Sequence, residues 1–355
     1  MLTRLFPAPS AITLPAVGLD FSDSTMRFVK LKETVHGFLP EKFSELAIPE
    51  GCMQGGRIID EGKWIEFLKQ VRTTHKLKYV RVAMPESQTY SFVLTLDPAA
   101  AQDIRSAIEL VLEDNIPLKA PETVFDYHII TQTDTAIIVQ VLAVAEMTTQ
   151  NYCNSFLTAG LVPVSFELDG QATARAVIKP HDNNSYMVVD FGAHRTGITI
   201  ITHNTAVFTS TVEFGGKALI AILQKGLNIS EEEAQHLKRE YGLSAIGEHK
   251  DIFDLLVGGV STLKDEINRR YVYWHERKEQ YGAFPNIETI YLTGGHSNLA
   301  GLADYLSVSL RLSVVQVNPW INCVSFEDEI PEMSYEESMS YVTAIGLALA
   351  DYYHD

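Results

Sequence analysis

The sequence predicts an α/β protein of two lobes facing each other across a cleft. Two stretches carry that prediction. Residues 186–201, YMVVDFGAHRTGITII, run apolar into Asp190, turn through Gly192 and leave in a second apolar, β-branched run from Thr196. That is the pattern of strand, tight turn, strand. Residues 16–31, AVGLDFSDSTMRFVKL, repeat it with Asp20 and a Ser-rich turn. The hairpins thus read as two halves of one folding plan, and 355 residues are too many for one ordinary core.

Bulk composition narrows the class. Hydrophobic residues make up 46% and charged residues 21% of the chain, as in a soluble globular protein. A net charge of −17 repels nucleic acid and anionic lipid, so neither is expected as a broad-surface partner. The Lys- and Arg-containing stretch 264–277 reads as a solvated helix face. Cys52, Cys153 and Cys323 stand far apart, without metal or disulfide spacing, which suits a reducing cytoplasm. The first fifteen residues hold three prolines and no apolar core, so no signal peptide is expected, and no run of ~18 apolar residues predicts a membrane span.

In chain order, residues 1–15 read as an extended arm, and 16–38 as two or three strands. Helical spacing of Trp64, Ile65, Phe67, Leu68 and Val71 predicts a helix over 59–74. A strand at 79–84 stops before Pro85. A second strand at 91–97 precedes Pro98, which opens a helix through 113 with Ile104, Ala107, Ile108, Val111 and Leu112 on one face. A strand pair around the polar turn 131–135 and a helix at 148–159 capped by Gly160 complete a β-α-β-β-α unit over 86–160, expected to be self-sufficient. A strand at 165–169 and a helix at 171–178 follow, then the linker PHDNN at 180–184. Beyond the second hairpin lie a strand at 206–213, Gly215-Gly216, and helices over most of 217–280, one opened by the capping box at Ser230–Glu233. Residues 282–285 break this block. A strand at 289–295 ends in Gly294-Gly295, followed by a helix at 299–310, a strand at 313–318 and a closing helix at 341–352.

Three signatures now stand in order: GLDFSDST followed by RFVKL, then VVDFGAHRTGITII, then IYLTGGHSNLAGLADYL, with AIGLALA behind them. The chain resembles the actin-like ATPase superfamily, and within it the PilM-type proteins of type IV pilus assembly, relatives of the division protein FtsA. The likeness runs from Ala16 to Asp351. It implies a two-lobed actin-like fold of duplicated RNase H-like domains: a first lobe over 16–180 with 86–160 as an FtsA-style insertion, a second over 181–340 with a helical subdomain at 217–284, and a C-terminal segment 341–355 returning to the first lobe. Expected cofactors are ATP or ADP with Mg²⁺. The expected location is the cytoplasm, peripheral to the inner membrane through a protein partner, without direct membrane insertion.

Phosphates need many N–H donors at close range, which tight turns supply. The first hairpin would contribute Asp20, Ser22, Asp23, Ser24, Thr25 and Arg27. The second would contribute Asp190, Gly192, Ala193, His194 and Thr196, with Gly215 and Gly216 behind it. Asp20 and Asp190 would hold Mg²⁺ through water, as a hard, partly hydrated cation prefers. Gly294, Gly295 and His296 would flank the base or ribose, with Gln235 and Lys238 reaching in from one helix face. Other readings stay open for several of these: turn formers for the aspartates, a strand end at Gly215-Gly216, and solvated helix positions for Gln235 and Lys238. Glu167 and Asp169 are candidate water-positioning bases or helix caps. The family pattern is departed from at Ser22, which replaces a glycine, at Asp23, an acid beside a polyanion, and at Gln235, which replaces a glutamate. Nucleotide binding is therefore expected ahead of efficient hydrolysis.

By resemblance the chain would be a nucleotide-responsive scaffold. It would capture the cytoplasmic N-terminal peptide of a PilN-type inner-membrane protein in a groove between the first lobe and the 86–160 unit. Pilus assembly ATPases and self-association are further expected partners. A small-molecule kinase of the same superfold is the alternative, yet no additional Asp-Gly catalytic loop is present. An FtsA-like filament former is the other, but the sequence closes at DYYHD without an amphipathic tail.

Overall fold

A computed structural model describes residues 16–244, 249–278 and 284–352. The 1–15 arm, part of the 282–285 break and the end of the closing tail lie outside the described residues.

The first lobe opens with β1 (Val17–Phe21), β2 (Thr25–Thr34) and β3 (Gly37–Ala47), an antiparallel meander. The third strand runs beyond residue 38 because it pairs with β2 along its whole length, from Thr34↔Gly37 to Thr25↔Ala47. A two-residue ribbon, β4 (Met53–Gln54) and β5 (Arg57–Ile58), leads to α1 (Glu61–His75), whose cap Asp60 accepts from the Lys63 N–H at 3.0 Å. Strand β6 (Tyr79–Met84) then lies parallel to β1.

The inserted segment follows: β7 (Thr89–Leu96), α2 (Ile104–Asn115), β8 (Thr123–Gln132), β9 (Ile137–Ala145) and α3 (Glu146–Ala159). The helix expected to start at Pro98 is divided. Asp97 caps a 3₁₀ turn, Pro98–Gln102, and Asp103 caps α2, accepting from the N–H of Ala99 (2.8 Å) and Ser106 (3.1 Å) respectively. Two side-chain acceptors so close together start two short elements rather than one.

The chain returns in β10 (Val162–Leu168), parallel to β6, and α4 (Asp169–Val177). The second lobe repeats the plan with β11 (Ser185–Phe191), β12 (Thr196–Thr202) and β13 (Thr205–Val212), then α5 (Gly216–Leu227), α6 (Glu231–Tyr241) and α7 (Lys250–Arg277). The expected capping box forms at Ser230 and Glu233. Strand β14 (Ile287–Thr293), α8 (Leu302–Leu310), β15 (Ser313–Gln316), the single turn α9 (Tyr335–Ser338) and α10 (Val342–Leu349) finish the described chain.

The sheet orders are β3-β2-β1-β6-β10 and β13-β12-β11-β14-β15. In each, an antiparallel meander occupies one side of its first strand, and two parallel strands occupy the other. Their carboxyl ends converge on one crevice, the place where open α/β sheets bind ligands. Separate apolar clusters sit beneath the sheets. Trp64, Leu68, Tyr152 and Phe156 belong to the first lobe's, and Phe191, Leu223, Leu256 and Trp274 to the second's.

Between the lobes run α4 and α10. A side chain at Gly346 would put its Cβ 1.7 Å from the Ala172 carbonyl oxygen, and one at Gly18 would put it 2.0 Å from that of Ala344. Backbone therefore packs on backbone there, a closeness only glycine permits. The hydroxyls of Thr173 and Thr343 meet at 3.2 Å across the same crossing. Asp351 anchors the returning segment to the first lobe, accepting from the Ala16 N–H at 2.9 Å and from Arg81 at 2.7 Å.

The 86–160 unit is not the self-contained body its periodicity suggests. Helix α2 covers one face of the β7-β9-β8 sheet through Ile104, Ile108 and Leu112. Val93 and Ile138 instead join the second lobe's core, and the Gln140 amide donates to the Ala206 carbonyl on β13. Helix α3 belongs to the first lobe, where Tyr152 and Phe156 are buried beside Trp64 and the Trp64 indole donates to Ser155 at 3.1 Å. Amphipathic spacing reveals that these elements have apolar faces but not which neighbour covers them.

Replacing Gly346 with alanine is expected to lower stability by about 1–3 kcal/mol through overpacking, although alanine is ~1 kcal/mol the better helix former. Urea denaturation reads the sign directly, and a more stable variant would mean that the crossing opens without loss.

Candidate functional site

The crevice between the lobes is a cleft of about 650 Å³, within the range of sites for small ligands. Both hairpins line it, as do the 294–296 turn and the segment leading into α10. Acids from both lobes line it, among them Asp20 on β1, Glu86 just past β6, Asp169 after β10 and Asp190 on β11.

In the first hairpin the Ser22 N–H donates to the Thr25 carbonyl at 2.8 Å. The Ser22 hydroxyl folds into the turn and accepts from the Thr25 N–H at 3.2 Å. Ser22 is not among the residues of positive φ, so the turn tolerates its Cβ. Its hydroxyl oxygen thereby takes up the Thr25 N–H within the turn. The Asp23 carboxylate turns away from the middle of the cleft and accepts from the N–H groups of Gly55 and Gly56, both at 2.8 Å. Its cation is Arg195, at 3.8 Å from the opposite hairpin. Arg27 pairs with Glu45 at 2.7 Å while still lining the cleft. Ser24 and Thr25 line it too.

The second hairpin closes through Gly192, whose N–H donates to the carbonyls of Asp190 and Arg195, each at 3.1 Å. Gly192, Ala193 and His194 line the cleft. Thr196 does not: it is buried, and its hydroxyl donates to the Phe214 carbonyl at 2.6 Å. Gly215 and Gly216 also stand behind the wall. The N–H groups of Gly216 and Lys217 donate to the carbonyls of Gly192 and Ala193 at 2.9 Å each, bracing the hairpin from beneath. Gly216 must lack a side chain because its Cβ would fall 2.2 Å from the His296 ring.

Gly294 has φ +88°, and a Cβ there would meet an Asp190 carboxylate oxygen at 2.2 Å. Glycine at 294 thus makes room for the aspartate while bending the chain. Gly295 and His296 face the cleft. Lys238 is buried, and its ammonium meets His296 Nδ1 at 2.8 Å. Burial lowers Lys238 to about 8, and burial followed by the positive charges around it lowers His296 to about 4. Gln235 is exposed and outside the cleft lining.

The two candidate bases separate. Asp169 lines the cleft, whereas Glu167 is held in ion pairs with Arg175 (2.8 Å) and Arg81 (3.7 Å) outside it. Strand β10 ends at Leu168 and Asp169 opens α4, so the two side chains leave different elements, and Glu167 stands with its arginines rather than in the cleft. Sequence reading missed Glu86 and Arg195. Glu86 accepts from the hydroxyls of Thr211 and Thr209 across the lobe boundary. Its position just past a parallel strand was the available signal.

Four of the cleft's acids, Asp20, Glu86, Asp169 and Asp190, are raised, chiefly by burial. Asp169 reaches about 8, with Glu86, Asp20 and Asp190 adding to the shift, and Asp190 reaches about 6, with Asp20 second. Asp20 and Glu86 are raised as well. Asp190 still meets water, but closely surrounding protein and a neighbouring carboxylate disfavour its charge. Such a set is short of positive charge and fits a cation. Among the described residues no three His, Cys, Asp or Glu stand together as direct ligands of a metal ion.

A second cavity, of about 260 Å³, opens where the inserted sheet meets the first lobe. Tyr90 and Leu118 face Arg57, Ile58 and Tyr152 across it. Among the described residues no helix is long and apolar enough to cross a membrane.

Comparison with known proteins matches this architecture. The family model for the type IV pilus assembly protein PilM matches residues 18–352. The PilM-PilN type IV pilus biogenesis complex superposes with a TM-score of 0.76 at 22% identity, covering 96% of this chain and 99% of that one. Ethanolamine utilization protein EutJ from Carboxydothermus hydrogenoformans gives 0.52 at 17% identity, over 96% and 93%. MreB5 of Spiroplasma citri bound to AMPPNP gives 0.54 at 12%, over 93% of each. At these identities the structural likeness speaks for the fold.

The His296 environment predicts an acid effect. Lys238, Arg27, His194 and Lys217 all disfavour its protonation when folded, whereas an unfolded histidine titrates near 6.5. A lowered folded value means that the unfolded state binds the extra proton first, so stability falls as pH drops from about 6.5 to about 4. Against His296→Gln, the wild type is expected to lose up to about 3 kcal/mol over that window. Denaturation midpoints at pH 7.5 and 4.5 measure it; an unchanged difference between the two proteins rules the effect out.

Proposed function

The chain belongs to the type IV pilus assembly protein PilM family, and from that premise we propose that it is a nucleotide-binding scaffold that holds ATP or ADP between its lobes and a partner peptide at the inserted sheet. The observation that carries the nucleotide reading is the meeting of the two hairpins on one cleft, with Asp20 and Asp190 at its floor. The solved MreB5 relative is described with AMPPNP in place, which supports the same reading here.

Within the cleft, the turns after Asp20 and Asp190 would receive the phosphate tail. Arg27 and Arg195 are the side-chain cations in reach. A hydrated Mg²⁺ between Asp20 and Asp190 would supply the positive charge that phosphates and acids both require. The base or ribose would lie against Gly294-Gly295, with Lys238 fixing the His296 ring beside it. Burial and the neighbouring acids raise Asp169 to about 8, so positive charge in the cleft would favour its carboxylate form and its service as a base. Together with the Ser22 hydroxyl inside the first turn, this favours binding over rapid turnover. Glu86 and the Thr209 and Thr211 hydroxyls join the lobes at one edge, so ligand and lobe closure would be linked.

The partner reading rests on the second cavity and on the PilM-PilN complex, whose description pairs a family member with PilN. A short cytoplasmic N-terminal peptide of a PilN-type inner-membrane protein fits between Tyr90 and Leu118 on one side and Arg57 and Ile58 on the other. This tether would place the protein at the cytoplasmic face of that membrane. Pilus assembly ATPases and further copies of the chain would dock elsewhere.

With Mg-ATP at 100 times its Kd, the wild type should gain about 2.7 kcal/mol of stability, read as a rise in Tm. Asp190→Ala should fold and show no such rise; an equal rise would remove Asp190 from the site. Independently, Tyr90→Ala is expected to weaken peptide binding by about 1–2 kcal/mol without changing the Mg-ATP response. Titration calorimetry separates the two, and full peptide affinity in this variant would place the peptide elsewhere.

A further inference from the structure

The turn at Gly55-Gly56 is the wall between the two cavities. Gly55 lines the interlobe cleft, and Gly56 lines the smaller groove. Both have positive φ, +56° and +72°, a conformation that favours glycine. The turn aims its N–H groups towards the cleft, where the Asp23 carboxylate accepts both at 2.8 Å. Its carbonyls point the other way. That of Gly55 accepts from the Ser87 hydroxyl at 2.7 Å and the Gln88 amide at 2.8 Å, and that of Gly56 accepts from the Tyr152 hydroxyl. Ser87, Gln88 and Tyr152 all line the groove. One carboxylate from the first hairpin and three groove side chains therefore grip opposite sides of the same turn. Behind Asp23 stands Arg195 of the second hairpin, at 3.8 Å.

We propose that Asp23 couples the two cavities: charge arriving between the hairpins acts on the Asp23–Arg195 pair, and the Gly55-Gly56 turn passes the change to Tyr152, Ser87 and Gln88 in the groove. This rests on the reading that the cleft takes nucleotide and the groove takes peptide. A polyphosphate beside the hairpins attracts Arg195 and repels Asp23. The carboxylate, deprived of its cation, leans on the two N–H groups, and the turn is held in the form that shapes the groove. Peptide in the groove fixes the same turn and hence the position of Asp23. By linkage, each ligand strengthens the other by the same factor. The acid that looks misplaced beside a polyanion is thus a positioning residue, acting through the turn rather than on the phosphates.

The test is calorimetric titration of a synthetic peptide from the cytoplasmic N-terminus of the cognate PilN-type protein, with and without saturating Mg-ATP. For the wild type the peptide Kd should tighten about fivefold or more with Mg-ATP. Asp23→Asn keeps the size of the side chain but presents an NH₂ to one of the two N–H groups. It should bind both ligands, hold Mg-ATP more tightly through lost repulsion, and bring the coupling ratio close to one. Tyr152→Phe, outside the cleft, should leave Mg-ATP affinity as in the wild type and also reduce the ratio, which decides the matter should the Asp23 variant fail to fold. A wild type that binds both ligands without coupling overturns the inference alone, as does a ratio unchanged in either folded variant. A wild type that fails to bind one of the ligands overturns the underlying reading and the inference with it.

Discussion

The backbone contact of α10 with α4 and β1 is the constraint on which the molecule depends. At Gly346 and Gly18 the chains approach so closely that a single Cβ would overlap a carbonyl oxygen. Because the two sheets flank this crossing, its closeness sets how far apart their carboxyl ends stand. Two aspartates that lie 170 positions apart (190 − 20) in the chain thereby line one cleft of about 650 Å³. A buried apolar cluster that draws on both lobes, with Val29 and Leu31 on one side and Val188 and Ile201 on the other, surrounds the crossing at Ala174, Ala344 and Ile345.

Electrostatics in the cleft has one theme, too many acids for the cations present. Burial raises Asp20, Glu86, Asp169 and Asp190, and mutual repulsion adds to it for Asp169 and Asp190. Arg27 and Arg195 are each drawn to a carboxylate at the rim, Glu45 and Asp23. On these charges the cleft suits a ligand that brings positive charge with it better than a bare anion. The same imbalance raises Asp169 to about 8, so its ionisation depends on the charge around it.

The inserted sheet joins three bodies. Helix α2 covers one of its faces, the second lobe takes Val93 and Ile138, and its continuation α3 is buried under the first lobe. An element so shared cannot move with one lobe without straining its contact to the other. Its groove, walled by a turn that also borders the cleft, is therefore placed to register changes in lobe position.

Much of this was legible from the residues alone. Period-two runs ending in Asp20 and Asp190, the repeat of that hairpin, and glycines at 294 and 295 marked the lobes, the strand order along the chain and most of the cleft lining, because each is a local property of spacing and turn chemistry. What escaped depended on contacts between distant segments. Glu167 and Asp169 look equivalent in sequence, yet only the fold shows that Arg81 and Arg175 hold the first outside the cleft. Gly215 and Gly216 look in sequence like part of a ligand-binding turn and instead brace the second hairpin, since their neighbours 193 and 296 are far away along the chain. Glu86, Arg195 and the true partner of Asp23 came from tertiary structure as well. The sequence by itself determined which elements form and where their turns bend, because those are settled within a few residues. The fold alone decided which charges meet and which apolar faces are covered, because Coulomb energy and burial depend on distance in space rather than along the chain.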